Sequence, residues 1–244
     1  MTQIAVKGLW KEYGGQVVLE NVNLNFGDHE FITIVGASGC GKTTFLRMLL
    51  GMEAPSRGEL LIDSKPLSAE PGPDRGIVFQ RYSLFPHLTV LGNLLLGLEL
   101  QQAPLLGRLL GARRRAAIAK ADALLEAVGL VGARDKYPAQ LSGGMQQRLS
   151  IAQSVICEPK ILLLDEPFGA LDPGVTADMH ELILKLWNMN RMTIIMVTHD
   201  LKESFYLGTR LLVFDRVRVD PQAPDRYGAT VTYNIPLKGH RRPA

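Results

Sequence analysis

Cysteine is scarce. Cys40 and Cys157 are too few for a disulfide framework, and their spacing matches no metal motif. So small a thiol content suits a reducing compartment. Charge of one sign is lacking as well. The formal net charge is +3, too weak to point to nucleic acid, and the basic clusters at 113–115 and 240–242 read as solvated surface. Nor is there a long apolar run. The richest stretch, residues 88–110, is interrupted by Asn93, Glu99, Gln101, Gln102, Pro104 and Arg108, so no segment is expected to cross a membrane. No signal-peptide pattern is expected ahead of the first strand-like run, residues 4–6. What remains, 46% hydrophobic and 21% charged residues over 244 positions, is the make-up of a soluble globular chain able to bury a sizeable core.

Along the chain, the first 30 residues alternate in strand fashion around a turn at Gly14 and Gly15. Leu24 and Phe26 fall on one face, Asn23 and Asn25 on the other. The run FITIV (31–35) is continuously apolar, the pattern of a strand buried on both faces. A glycine-rich loop follows, then a helix to about Gly51. Further buried strands are predicted at 161–165 and 193–197. Between them lies a helix opened by Asp172 as N-cap and Pro173 as N1, with an apolar stripe of Met179, Leu182, Ile183, Leu186 and Met189. Strands alternating with helices imply a parallel sheet flanked by helices. Residues 85–157 read instead as successive helices, an inserted helical subdomain. Past residue 216 come turns at Pro221 and Pro224 and one strand-like run, 229–235.

The loop after FITIV carries the strongest chemical signal. GASGCGKT (36–43) fits G-x-x-x-x-G-K-[ST], in which glycines let backbone N–H groups converge on phosphate oxygens. Lys42 adds positive charge over the β- and γ-phosphates, and the Thr43 hydroxyl is placed to ligate Mg²⁺. A buried strand before the loop and a helix after it supply the context for nucleoside triphosphate binding. Cys40 lies inside the loop; the helix N-terminus is expected to favour its thiolate, and alkylation there should block nucleotide entry.

In ILLLDEP (161–167), Asp165 and Glu166 stand at the carboxyl end of a buried strand, where open α/β sheets bind ligands. Asp165 in that place holds Mg²⁺ in a P-loop enzyme. Glu166 points to the other side of the chain; it either polarises an attacking water or is a solvated strand end. His199, in MVTHD (196–200), leaves the sheet on the same edge and is either a γ-phosphate contact or structural. Gln80, in IVFQRYSLFP, ends another strand-like run at a hinge from which a neutral amide can reach Mg²⁺ or water and withdraw.

In order, GASGCGKTT, VFQ, LSGGMQQR, ILLLDEP, GALD and THD resemble the motif set of the ATP-binding cassette family, over about residues 4–215. FPHLTVLGNL (85–94), DEPFGALD (165–172) and TRLLVFD (209–215) narrow the resemblance to the free-standing ATPase subunit of a bacterial importer of the nitrate/sulfonate/taurine type. The fold this implies is an α/β P-loop NTPase: a RecA-like parallel-sheet core, an N-terminal antiparallel β subdomain and an inserted helical subdomain at about 85–157. Together these make a cassette domain over 1–215. Residues 216–244 are then a short C-terminal extension without a regulatory domain.

The resemblance also implies site roles. The nucleotide is held by Gly36, Ala37, Ser38, Gly39, Cys40, Gly41, Lys42, Thr43 and Thr44, with adenine stacked on Tyr13. Glu166, His199 as switch histidine and Gln80 as lid glutamine serve catalysis, and Thr43, Gln80 and Asp165 hold Mg²⁺. Two copies dimerise head to tail, so that Ser142, Gly143 and Gly144 meet the γ-phosphate of the partner subunit's ATP, with Asp172 at the seam. Two departures stand out. Met145 follows the glycines where many members have Gln, and Gln153 replaces a usual Arg, which is expected to weaken a salt bridge near that seam.

Implied partners are membrane permease subunits and, indirectly, a periplasmic or extracellular substrate-binding protein, with no nucleic acid; the place is the cytoplasmic face of the plasma membrane. The apolar stretch 81–98 either receives a helix from the permease or only packs the helical subdomain. An exporter subunit remains an alternative. A non-transport cassette is another, although the usual tandem cassettes, coiled-coil insertion and zinc cysteines are absent. The tail 217–237 resembles cassettes encoded beside urea-carboxylase-type enzymes, which import guanidine-like cations; nitrate, sulfonate or taurine-like anions stay open.

Overall fold

A computed structural model describes residues 3–68, 70–80, 83–103, 107–169, 171–223 and 225–237. In chain order its elements begin with β1 (Ile4–Tyr13), β2 (Gln16–Phe26), β3 (Phe31–Gly36), α1 (Lys42–Leu50), β4 (Arg57–Ile62), β5 (Lys65–Pro66) and β6 (Arg75–Val78). Three helices follow: α2 (Val90–Gln102), α3 (Gly111–Ala127) and α4 (Gly143–Val155). The chain continues through β7 (Ile161–Asp165), α5 (Pro173–Asn190), β8 (Thr193–Val197), α6 (Leu201–Leu207), β9 (Arg210–Asp215) and β10 (Thr230–Pro236). Arg81, Tyr82, Ala170, Pro224 and the basic residues at 240–242 lie outside the described residues.

Among the described residues the strands form two sheets. One is antiparallel, in the order β2-β1-β4-β5; the other runs β10-β9-β3-β8-β7-β6. In the second sheet β9, β3, β8, β7 and β6 pair in parallel, and β10 closes its edge antiparallel to β9. The apolar runs are continuous because this sheet is covered on both faces, and alternate residues feed different cores. Phe31, Leu162, Leu164, Ile194 and Met196 join a core with the helical segment and α5. Ile32, Ile34, Leu163, Ile195 and Val197 join another with α1 and the antiparallel sheet.

The helical segment α2–α4 is held at its entrance by one buried amide. Asn93 Oδ1 accepts from the Phe85 N–H (2.8 Å), while Nδ2 donates to the carbonyls of Phe85, Leu88 and Thr89. The turn at 85–89 is thereby knotted onto the first turn of α2.

Two features of α5 differ from the sequence reading. Met189, in the last turn, is 63% exposed, and Trp187 closes the apolar stripe instead. Trp187 lies four residues from Ile183 on the same face and packs edge-on against Phe31 at 5.7 Å. Asp172 does occupy the N-cap position with Pro173 following, but its side chain makes no capping hydrogen bond.

Candidate active site

The loop between β3 and α1 is shaped by close approach. At Gly36 any Cβ would run into the Phe214 carbonyl of neighbouring β9 and the Cys40 thiol. Gly41, at φ 87°, is the N-cap of α1, and a Cβ there would meet Val18 and Leu19 of β2. Both positions therefore demand glycine. The loop curls so that Lys42, 7% exposed, sends Nζ back to the carbonyls of Gly36 (2.8 Å) and Ala37 (2.9 Å).

Thr43, one residue into the helix, donates its hydroxyl to Asp165 Oδ1 at the end of β7 (3.2 Å). Burial pushes the Asp165 carboxyl above the ordinary carboxylate range; the Thr43 hydrogen bond opposes this and the negative charge of Glu166 adds to it. Glu166 diverges from its neighbour. Its backbone takes a positive φ of 46° while its N–H reaches the Val197 carbonyl (3.0 Å). That turn sends the carboxylate toward the end of β8, where Oε2 stands 3.5 Å from His199 Nδ1. Glu166, His199, Val18 and the loop residues Gly36, Ser38, Gly39, Gly41, Lys42, Thr43 and Thr44 line one cavity of 440 Å³. The cavity thus holds a cation, helix-end N–H groups, hydroxyls and a carboxylate–imidazole pair, a set suited to binding phosphates and activating water.

Other predicted site residues sit elsewhere. Tyr13, at the tip of the β1–β2 hairpin, is outside the cavity lining and 44% exposed. Its hydroxyl donates to Glu53, and Lys11 Nζ lies 4.7 Å from its ring centroid. Gln80, beyond β6, is exposed and does not line the cavity. Ala37 is exposed and does not line the cavity. Ser142, Gly143 and Gly144 form the N-terminus of α4, where Ser142 Oγ accepts from the Met145 N–H (3.3 Å); they too lie outside the cavity.

One expectation is corrected. Cys40 is 4% exposed, and burial pushes its thiol up despite the opposing charge of Lys42, so desolvation outweighs the helix N-terminus and the thiolate is not favoured. Gln153 lines a groove with Ile77, Phe79, Phe85 and Leu100. At 1.5 Å per residue it is about 15 Å along α4 from Gly143. Val18 was not anticipated in the site; its alternating strand offers no signal for a cavity wall.

A family model described as ABC transporter matches residues 19–169. The nitrate import ATP-binding protein NrtD of Synechocystis sp. is 40% identical over 223 residues, spanning 91% of this chain and 78% of its own. The aliphatic sulfonates import ATP-binding protein SsuB of Burkholderia ambifaria is 42% identical over 223 residues, 91% of this chain and 64% of its own. Among solved structures, the dimeric post-hydrolysis state of the ATP-binding cassette MJ0796, bound to ADP and Pi, matches with a TM-score of 0.77 at 29% identity, covering 97% of this chain and 100% of that one. With a strand–loop–helix phosphate cradle, a Thr43–Asp165 contact and a Glu166–His199 pair on one sheet edge, this chain belongs to the ABC transporter family, as an ATP-hydrolysing cassette of the α/β P-loop NTPase fold.

Proposed function

We propose that the chain powers uptake of a small solute as one half of a head-to-tail homodimer, seated on separate permease subunits at the cytoplasmic face of the plasma membrane. The observation that carries this reading is the separation of two phosphate-directed ends. The loop 36–44 lines the cavity, whereas the exposed start of α4 at Ser142 and Gly143 does not. Helix-end N–H groups have no partner within their own helix and are natural anion contacts. A second copy would bring its α4 end to the γ-phosphate held by the first. ATP then joins the two subunits, and loss of the γ-phosphate weakens the joint.

Within one site, Lys42 would exchange its two loop carbonyls for phosphate oxygens, together with the backbone N–H groups of 36–44. Tyr13 would stack on adenine. Glu166 would take the proton of the attacking water, while His199 beside it would hold that water against the γ-phosphate. Thr43 Oγ1 and Asp165 Oδ1 are hard oxygen donors, and a cation would offset the burial of the Asp165 charge. Among the described residues no group of three His, Cys, Asp or Glu could cage a metal alone. That suits Mg²⁺, which is usually held by one or two carboxylates plus substrate phosphates. When bound, Mg²⁺ neutralises charge on the β- and γ-phosphates. Gln80 would join its ligands by swinging in from the exposed end of β6.

The groove that contains Gln153, of 710 Å³, is lined by Ile77, Phe79, Ser83, Phe85, Leu100 and Cys157 among others. Among the described residues of 81–98, Phe85, 39% exposed, is the large apolar side chain that faces outward, alongside exposed Ser83, Pro86 and His87, whereas Val90, Leu94, Leu95 and Leu98 pack inward. This groove is the proposed seat of a permease helix. Among the described residues no helix is long and apolar enough to cross a membrane, so the membrane-spanning part falls to that partner. Solute would meet the permease and its binding protein rather than this subunit.

The test is complementation. Lys42→Ala chains keep an intact α4 end and lose the phosphate loop; Ser142→Arg chains keep the loop and lose the α4 end. Each alone should be inactive, and a mixture should recover an intermediate ATPase rate from the one intact composite site. A mixture that stays inactive sinks the dimer. Tagged purification from solubilised native membranes should bring down a multi-span permease; soluble partners alone would remove the case for transport.

A further inference from the structure

We propose that Glu203 is a positioning residue for the Glu166–His199 pair, acting through Thr198 on one arm and His180 on the other. The inference rests on the proposed role of His199 and goes one layer behind it. Glu203 lies in the first turn of α6, 9% exposed, a carboxylate turned into the protein where apolar contacts would serve packing alone. Each of its oxygens faces a different neighbour. Oε2 accepts the Thr198 hydroxyl proton at 2.5 Å, and Oε1 stands 3.4 Å from His180 Nε2, in ion-pair range but out of line for a hydrogen bond.

The Thr198 arm grips His199 from both sides. Thr198, 2% exposed, anchors its backbone N–H on the Ile34 carbonyl (3.1 Å), and its Oγ1 accepts from the Asp200 N–H (3.0 Å). A hydroxyl has one proton to give. Here that proton is directed at the Glu203 Oε2, which accepts it in a hydrogen bond and leaves the Thr198 lone pairs for Asp200. The residues before and after His199 are thus tied through one oxygen whose polarity Glu203 sets. Asp200 extends the hold, because its carboxylate accepts from the Lys202 N–H (2.7 Å) and its carbonyl from the Ser204 N–H (3.2 Å).

The His180 arm leads to the other partner. His180, on α5, meets Phe168 edge-on at 4.9 Å between ring centroids, with Tyr206 on its other side at 5.7 Å. Phe168 is 2% exposed and stands two residues after Glu166, at the end of the turn that carries its positive φ. One buried carboxylate therefore backs both members of a pair whose own contact is 3.5 Å; its own two partners, Thr198 and His180, stand outside the cavity that Lys42 and the phosphate loop line.

The experiment measures steady-state ATP hydrolysis by Glu203→Ala, Glu203→Gln and Thr198→Val, each also in a His199→Ala background. Thr198→Val keeps the side-chain shape and removes only the shared hydroxyl, so it reports even where a Glu203 variant folds poorly. In the native background Glu203→Ala and Thr198→Val should lower kcat by about tenfold to a hundredfold, the scale on which a displaced catalytic group is felt, with KM for ATP little changed. Glu203→Gln, which can still accept the Thr198 proton, should lose less. With His199 already removed, both changes should cost nothing further, because residues acting as a unit are non-additive. An equal loss in both backgrounds, or a loss carried by KM, overturns the proposal. A His199→Ala chain turning over at the native rate would instead overturn the role of His199 itself, a distinct outcome.

Discussion

Glu166 makes opposite predictions for stability and for turnover. It is a non-glycine residue held at φ 46°, and its carboxylate reaches the cavity only because the backbone turns that way. An L-residue in the left-handed region costs roughly 1–2 kcal/mol. Glycine escapes that cost but gives the unfolded chain extra freedom worth about 0.4–1 kcal/mol. The balance for Glu166→Gly runs from about 0 to about 1.6 kcal/mol in favour of glycine, and its midpoint of about 0.8 kcal/mol is a rise in Tm of about 2–3 °C for a domain of this size. Loss of the His199 contact subtracts little, since the His199 side chain is 66% exposed and such pairs contribute about 0–1 kcal/mol before screening.

Glu166→Gln separates the two effects, because it keeps the backbone strain and removes only the proton acceptor. Its Tm should match the native chain. Removing a general base costs roughly 10²–10⁴ in rate, equivalent to about 2.7–5.4 kcal/mol of barrier. ATP binding should survive, since the Lys42 and Thr43 contacts are untouched, and the variant should accumulate as an ATP-bound dimer on size exclusion. Phosphate-release kinetics and calorimetric melts of the three chains decide the matter. Near-native turnover by Glu166→Gln, or a Glu166→Gly chain that melts below the native one, would refute the reasoning.

Asp165 gives a pH-linked test. Because burial raises its folded pKa, the folded chain holds that proton more tightly than the unfolded one. The favourable contribution is fully present below the unfolded pKa of roughly 3.9 and is lost as pH rises through the folded value. Asp165→Asn should therefore melt above the native chain near neutral pH in the absence of nucleotide, with the difference closing toward acid, while Mg²⁺-dependent ATPase activity disappears. An unchanged Tm difference across that range would contradict it. For Cys40, maleimide labelling in a Cys157→Ser chain should be slower than that of a free thiol at neutral pH, accelerate as pH rises, and be suppressed by ATP. Labelling at the free-thiol rate near pH 7 would mean the thiol is not held up by burial.

The parts legible in the sequence are those set by short-range pattern. FITIV reads as a doubly buried strand because its four apolar residues fall on both alternating faces, with Thr33 the one polar side chain among them, and that pattern suits a sheet with two covered faces. The 36–43 spacing then dictates a phosphate cradle in which Gly36 and Gly41 are explained by the approach of Phe214 and Leu19, and Gly39 by its positive φ of 78°. What the sequence hides is set by residues far apart in the chain. The Cys40 thiol is governed by burial beneath a loop that looks exposed when written out. The positive φ of Glu166 has no glycine to announce it. Glu203 sits in a short helix that buries it with Ser204 while Leu201 and Phe205 face outward, an inversion no apolar pattern announces, and its meeting with His180 exists only once α5 and α6 are placed.

The same limit explains the tail. Residues 216–237 read as turns and one strand, yet they bridge the two sheets. Val17 N–H donates to the Asp225 carbonyl (2.9 Å), and the Glu20 and Ala229 N–H groups reach the Ala229 and Val18 carbonyls, before the chain returns to pair with β9. Arg218 pairs with Glu20, a carboxylate 8% exposed on the strand whose Val18 forms a cavity wall. A strand at a sheet edge has unpaired N–H and C=O groups that must find partners, and here the partner arrives some 200 residues later in the chain. The phosphate loop can be read locally because the groups it offers a phosphate are backbone N–H groups of consecutive residues. The wall opposite is Val18 of β2, a strand whose outer edge is paired by the tail, so its place follows from topology, and only the structure displays it.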